Sequence, residues 1–145
     1  MIQQVLVICT GNICRSPLAA ALLAREMPHL RVLSAGLDAL VGQPADPLAI
    51  QVGAAHGLDL SGHRARNTGA VNCHQSQLLL VMTRGQKTET EQRYPLTRGK
   101  VYLLRHQSRA EVADPYRKPL HVFEAAYADI ERGVQAWCHT LRQLR

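Results

Sequence analysis

Residues 4–17 read Gln4-Val5-Leu6-Val7-Ile8-Cys9-Thr10-Gly11-Asn12-Ile13-Cys14-Arg15-Ser16-Pro17, and this stretch decides the fold. Gln4–Ile8 is near-continuously apolar and β-branched rather than alternating, as a strand buried on both faces must be. Ser16-Pro17 predicts a helix start: serine suits the N-cap, and proline suits the first turn. Leu18, Leu22 and Leu23 then share one helical face. A buried strand, a short loop and a helix form the first half of a β-α-β unit.

Working outward, Arg31–Ser34, Leu78–Met82 and Val101–Leu104 repeat the pattern of the first strand. Asp46-Pro47 opens a second helix that stops near His56-Gly57, where glycine can take the left-handed cap. A shorter helix is expected to begin near Thr68, and another within Arg84–Arg93. The last helix carries Phe123, Tyr127, Ile130, Val134, Trp137, Leu141 and Leu144, spaced by threes and fours as one core-facing stripe. Trp137 is read as core. Strands alternating with helices predict an α/β chain, a single domain over residues 1–145. The expected architecture is a three-layer sandwich, with a four-stranded parallel sheet flanked by helices on both faces. Ligands then bind at the carboxyl ends of the strands, where the loop after the first strand lies.

Composition narrows the function. The 145 residues are 46% hydrophobic, enough for a core, and no apolar run is long enough to cross a bilayer. The first residues lack a basic n-region and a small-residue cleavage site, which predicts a cytoplasmic protein without membrane insertion. Cys9, Cys14, Cys73 and Cys138 form no C-x-x-C pair and fit neither a disulfide framework nor a zinc site. No metal or cofactor is expected. A formal charge of +6 favours an anionic partner. With aromatics at 4% and no basic block, nucleic acid is not the expected one.

The loop Cys9–Ser16 carries the chemistry. Gly11 permits a tight turn whose amides can nest an anion, Asn12 suits a left-handed turn position, and the helix N-terminus adds positive potential. Arg15 can grip two phosphate oxygens. Cys9, at the exit of the strand, faces that anion site, and amides, helix terminus and guanidinium together favour a thiolate. The Ser16 hydroxyl is placed to hydrogen-bond it. A buried structural cysteine would account for Cys9 but not for Gly11, Arg15, Ser16 and Pro17 together.

These residues resemble the active-site segment of the low-molecular-weight protein tyrosine phosphatases. The resemblance continues through Ser34-Ala35-Gly36, residues 57–66, Leu80-Val81-Met82, residues 98–101 and Asp114-Pro115-Tyr116-Arg117. It spans essentially the whole chain and is strongest to the bacterial branch associated with exopolysaccharide export. It implies a Rossmann-like, flavodoxin-like fold and a phosphoric monoester hydrolase acting on phosphotyrosine through a cysteinyl-phosphate. Cys9 would be the nucleophile, Arg15 the phosphate and transition-state ligand, and Asp114 the general acid and base. Thr10, Gly11, Asn12, Ile13, Cys14 and Ser16 complete the phosphate loop, which Asn12, Ser34 and His63 brace. On its own residues Asp-Pro-Tyr reads equally as a turn. Tyr116 is an expected aromatic wall of the cleft. Ile13 and Leu40 are expected to line it, although ordinary packing explains Leu40 as well. Arg64, Arg66, Arg117 and Lys118 either attract phosphoprotein or are simply solvated. The implied substrate is an autophosphorylating tyrosine kinase, met by a monomeric enzyme.

Proximity, and relatives, suggest that Cys14 traps an oxidised Cys9 as a disulfide; filling the base of the loop is the other reading. Ala20, Gln77 and Thr83 stand where many bacterial relatives carry acidic residues, which leaves rim shape and substrate preference open. Arsenate reduction on the same fold is a rival, but it needs two further neighbouring cysteines, and Cys73 stands alone. A silent phosphotyrosine-binding module would lack the nucleophile or the acid, and both are present.

Overall fold

The computed structural model describes residues 1–144; the last position of the expected domain, 145, lies outside the described residues. Four parallel strands form one sheet in the order β2-β1-β3-β4, where β1 is Gln4–Cys9, β2 Arg31–Gly36, β3 Leu78–Val81 and β4 Val101–Leu103. The helices are α1 (Arg15–Glu26), α2 (Pro47–Ala55), α3 (Ala70–Gln75), α4 (Arg84–Arg93) and α5 (Leu120–Gln143).

Alternation along β1 divides the interior in two. Val5, Val7 and Cys9 join Leu18, Leu22, Ala49, Val52 and Ile130 from α1, α2 and α5 in the larger core. Leu6 and Ile8 join Leu79, Val81, Val101 and Cys73 on the other side. There α4 also packs against β3 and β4. Period-two alternation thus sends one strand's side chains into both cores, and all six β1 residues are buried.

Two expectations change. β2 is an edge strand, and Arg31–Ser34 are exposed or half-buried rather than covered on both faces. Leu144 lies past the end of α5 and is 64% exposed, so the core stripe ends at Leu141. The shorter helix expected near Thr68 starts at Ala70, with Gly69 as its cap. The start of α2 is as expected: Asp46 caps it, its carboxylate accepting from the Leu48 amide, and Pro47 follows. Gly57, past its end, has a φ of 78°, left-handed backbone that suits glycine.

The chain leaves β1 for β2 on one side and returns to β3 on the other. That reversal opens a crevice at the carboxyl ends of the strands.

Candidate active site

The loop after β1 is built around Asn12, which is fully buried and has a φ of 59°. Asn12, one of the few non-glycine residues that enter the left-handed region readily, makes the turn as expected; a Cβ on Gly11 would meet only Ile13 at 3.7 Å. The glycine that close approach does require is Gly36, at the end of β2. A Cβ there would sit 2.4 Å from the Thr10 carbonyl oxygen.

Asn12 is bonded on every side. Its Nδ2 donates to Ser16 Oγ at 2.8 Å and to Ser34 Oγ at 3.0 Å. Its Oδ1 accepts from the Arg66 amide at 2.9 Å, which fixes the orientation of the side-chain amide. Its carbonyl accepts from His63 Nε2 at 2.6 Å. A carbonyl can only accept, so His63 carries its proton on Nε2. Burial holds the His63 pKa below its ordinary value; the bond to Asn12 opposes that, and Arg66 and Arg64 add to it. Asn12, Ser34 and His63 therefore converge as expected.

The neighbouring carbonyls are also taken. Those of Cys9, Thr10, Gly11 and Ile13 accept from the amides of Leu37, Asp38, Leu40 and Asp46. The amides of Gly11, Asn12, Ile13 and Cys14 find no acceptor among the described residues. Carbonyls bonded outward and amides left free make an anion nest at the start of α1.

Ser16 is not the N-cap. Cys14 holds that place without a side-chain bond, and Ser16, inside the first turn, puts its Oγ 3.0 Å from Cys9 Sγ. That oxygen also accepts from Asn12, and either it or the sulfur can donate in the contact between them. The expected contact to the Cys9 sulfur is thus obtained at the expense of the expected cap.

Arg15 is buried, with 5% of its side chain exposed. Its Nη1 donates to the Val112 carbonyl at 2.9 Å, and its Nη2 lies 3.7 Å from Asp114 Oδ2. The guanidinium thereby joins the loop after β1 to the segment that carries Asp114. Asp114 is 54% exposed, and its Oδ1 accepts from the Tyr116 amide at 3.0 Å.

Cys9, Ile13, Leu40, Asp114, Tyr116 and Arg117 line one cleft of about 290 Å³. Leu40 is therefore a cleft residue. Arg117 lies over the Tyr116 ring at 5.2 Å, while Arg64 turns to the His63 carbonyl and Arg66 contributes its amide.

All four cysteines are free. Cys14 is buried, and burial, reinforced by Asp46 and Cys9, pushes its thiol far up, so it stays protonated at neutral pH. Cys73 belongs to the core on the other side of the sheet from Cys9, which leaves the arsenate relay without a nearby partner.

Sequence reasoning missed Asp38, which lines the cleft, and Gln86. Gln86 is buried and donates from Nε2 to Thr10 Oγ1 at 3.1 Å. A signal for Gln86 existed: Thr83-x-x-Gln86 is a capping box, and both of its bonds form. Thr83, read as a departure at the rim, is that cap. Thr83 also lines the cavity beside Arg15 and Asp114, whereas Gln77 sits at the amino end of β3, its Oε1 accepting from the amides of Gln3 and Gln4. No sequence pattern pointed to the Val112 carbonyl, because any residue supplies one.

A thiol seated in an anion nest at the carboxyl end of a parallel sheet, with a buried arginine and a nearby carboxylate, defines a cysteine-dependent phosphate-ester hydrolase. The family model described as low molecular weight phosphotyrosine protein phosphatase matches residues 4–145, and the chain belongs to that family. It is 47% identical over 144 residues to the probable low molecular weight protein-tyrosine-phosphatase EpsP of Ralstonia nicotianae, covering 99% of each chain. It is 45% identical to the low molecular weight protein-tyrosine-phosphatase Wzb of Escherichia coli, covering 97% of each. The crystal structure of a Wzb from Escherichia coli in complex with sulphate superposes with a TM-score of 0.94 at 39% identity, covering 97% of this chain and 99% of that one. The protein is a protein-tyrosine-phosphatase. No helix among the described residues is long and apolar enough to cross a membrane.

Proposed function

We propose that Cys9 is the nucleophile, Arg15 the phosphate ligand and Asp114 the general acid and base of phosphotyrosine hydrolysis. The observation that carries this reading is the convergence of Cys9, Arg15 and Asp114 on one cleft, with the Ser16 hydroxyl 3.0 Å from the sulfur. The Cys9 thiolate attacks phosphorus in line, and the loop amides and Arg15 hold the equatorial oxygens. An S–P bond forms and the P–O bond to the tyrosine breaks. Protonated Asp114 delivers its proton to the leaving phenolate oxygen. Asp114, now ionised, takes a proton from water, whose oxygen attacks phosphorus. The S–P bond breaks, and phosphate and thiolate are released. Arginine and amides supply the positive potential that a metal would otherwise provide. Ile13, Leu40 and Tyr116 give the phenyl ring apolar walls.

The physiological substrate in this reading is an autophosphorylated tyrosine kinase of an exopolysaccharide system. The enzyme meets it in the cytoplasm as a monomer. Similarity to EpsP and Wzb supports that assignment.

Cys9→Ser is expected to abolish turnover of an aryl phosphate while inorganic phosphate still binds. Normal turnover in this variant would sink the assignment. The same variant, used to trap phosphoprotein from lysate, should retain a tyrosine-phosphorylated kinase; capture of other phosphoproteins alone would overturn the substrate.

A further inference from the structure

Asp114 is largely exposed and follows a segment with little regular structure, yet a general acid must meet its leaving group within hydrogen-bond reach. We infer that the first turn of α4 positions it, with Glu111 and Arg84 as the positioning pair. This rests on Asp114 as the general acid.

The backbone amide of Arg84, one of the donors that a helix start leaves unpaired, donates to Glu111 Oε2 at 2.7 Å. The Arg84 Nη1 lies 3.7 Å from the same oxygen. Its Nη2 donates to the Arg109 carbonyl at 2.7 Å. A carboxylate at a helix N-terminus is also favoured by the helix dipole. Two residues ahead of α4, the Met82 carbonyl accepts from the Val112 amide at 3.0 Å. The acid segment is thus fastened to the end of β3 and the start of α4 at three successive points, residues 109, 111 and 112, before it reaches Asp114.

The same helical turn holds the other loop. Gln86 bonds Thr10 of the phosphate loop while its Oε1 accepts from the Met82 and Thr83 amides. One rigid turn therefore sets the separation between the nucleophile's loop and the acid's segment. Arg15 closes the arrangement from the opposite side by bonding Val112. Glu111 touches neither phosphate nor leaving group in this scheme and acts only by placing Asp114.

Proton delivery matters for a poor leaving group and hardly for a good one. The test compares kcat/KM for phenyl phosphate and dinitrophenyl phosphate in Glu111→Ala, Glu111→Gln and Asp114→Asn. Glu111→Ala should lose about tenfold on phenyl phosphate, in line with the cost of small misplacements, and should be little changed on dinitrophenyl phosphate. Glu111→Gln, whose amide oxygen still accepts from Arg84, should recover most of the loss. An equal loss on both substrates, no loss on phenyl phosphate, or no rescue by glutamine would overturn the inference. Asp114→Asn separates the two readings. If it shows the leaving-group dependence and Glu111→Ala does not, only the positioning role falls. If neither variant shows it, the assignment of the acid falls too.

Discussion

The loop at Cys9–Ser16 and the segment at Glu111–Arg117 face each other across one cleft and are held by opposite means. The first is buried, and its centre, Asn12, spends every polar atom of its side chain on fixing neighbours. The second leaves Asp114 more than half exposed and hangs from a few bonds at its start. The tasks proposed for them differ in the same way. Binding charge on phosphorus requires dipoles already in place, because reorganising them would cost the energy they supply. Handing over a proton requires reach and contact with water, since the acid must serve first the leaving group and then the incoming water.

Arg15, a residue of the first region, bonds the second through the Val112 carbonyl, and after loss of Cys9 its replacement should have the largest effect. Arg15→Lys removes the fork that spans the Val112 carbonyl and the phosphate oxygens. It is expected to lower kcat by about 10²–10³-fold, as loss of an oxyanion donor does. A loss of less than about tenfold in steady-state kinetics would mean that charge alone suffices there.

Stability should divide the two regions more cleanly than activity. Asn12→Ala leaves the Arg66 amide and the Ser16 and Ser34 hydroxyls short of partners and is expected to cost about 1–3 kcal/mol in urea denaturation. Asp114→Ala, at an exposed site, should stay within about 0.5 kcal/mol of the wild type. Equal costs would erase the contrast.

The smallest effect concerns pH. His63 titrates below its ordinary value of about 6.5, so the unfolded chain binds its proton more readily than the folded one. Stability then rises with pH through the window below about 6.5, and the His63 contribution is lost as pH falls through the folded value. His63→Gln should flatten that slope in denaturation midpoints measured across the window. An unchanged slope would mean that the loop brace does not depend on His63 being neutral.

Much of this site is readable in order along the chain. The strand, the loop and the helix of residues 4–26 are local structures, and local pattern specifies them: buried apolar residues, a turn, a proline in the first helical turn. The likeness of Asp114-Pro115-Tyr116 to a known motif supplied the proposed acid, in a segment that spacing alone reads equally as a turn. One local preference is overridden. Serine's preference for the N-cap predicts Ser16 there, but in the folded protein its hydroxyl meets Cys9 Sγ and Asn12 Nδ2 inside the first turn, because bonding to the strand-end sulfur and the buried turn residue outweighs capping.

What the sequence determined by itself was the order of strands and helices and the candidates for the reactive groups, since hydrophobic period and side-chain chemistry belong to each residue and its near neighbours. What only the tertiary structure decided was the company those groups keep. The pairing of Arg15 with Val112, of Gln86 with Thr10 and of Glu111 with the start of α4 joins residues far apart in the chain. Two of these three bonds use a backbone group as partner, and every residue carries such a group, so no pattern of side chains could have announced them.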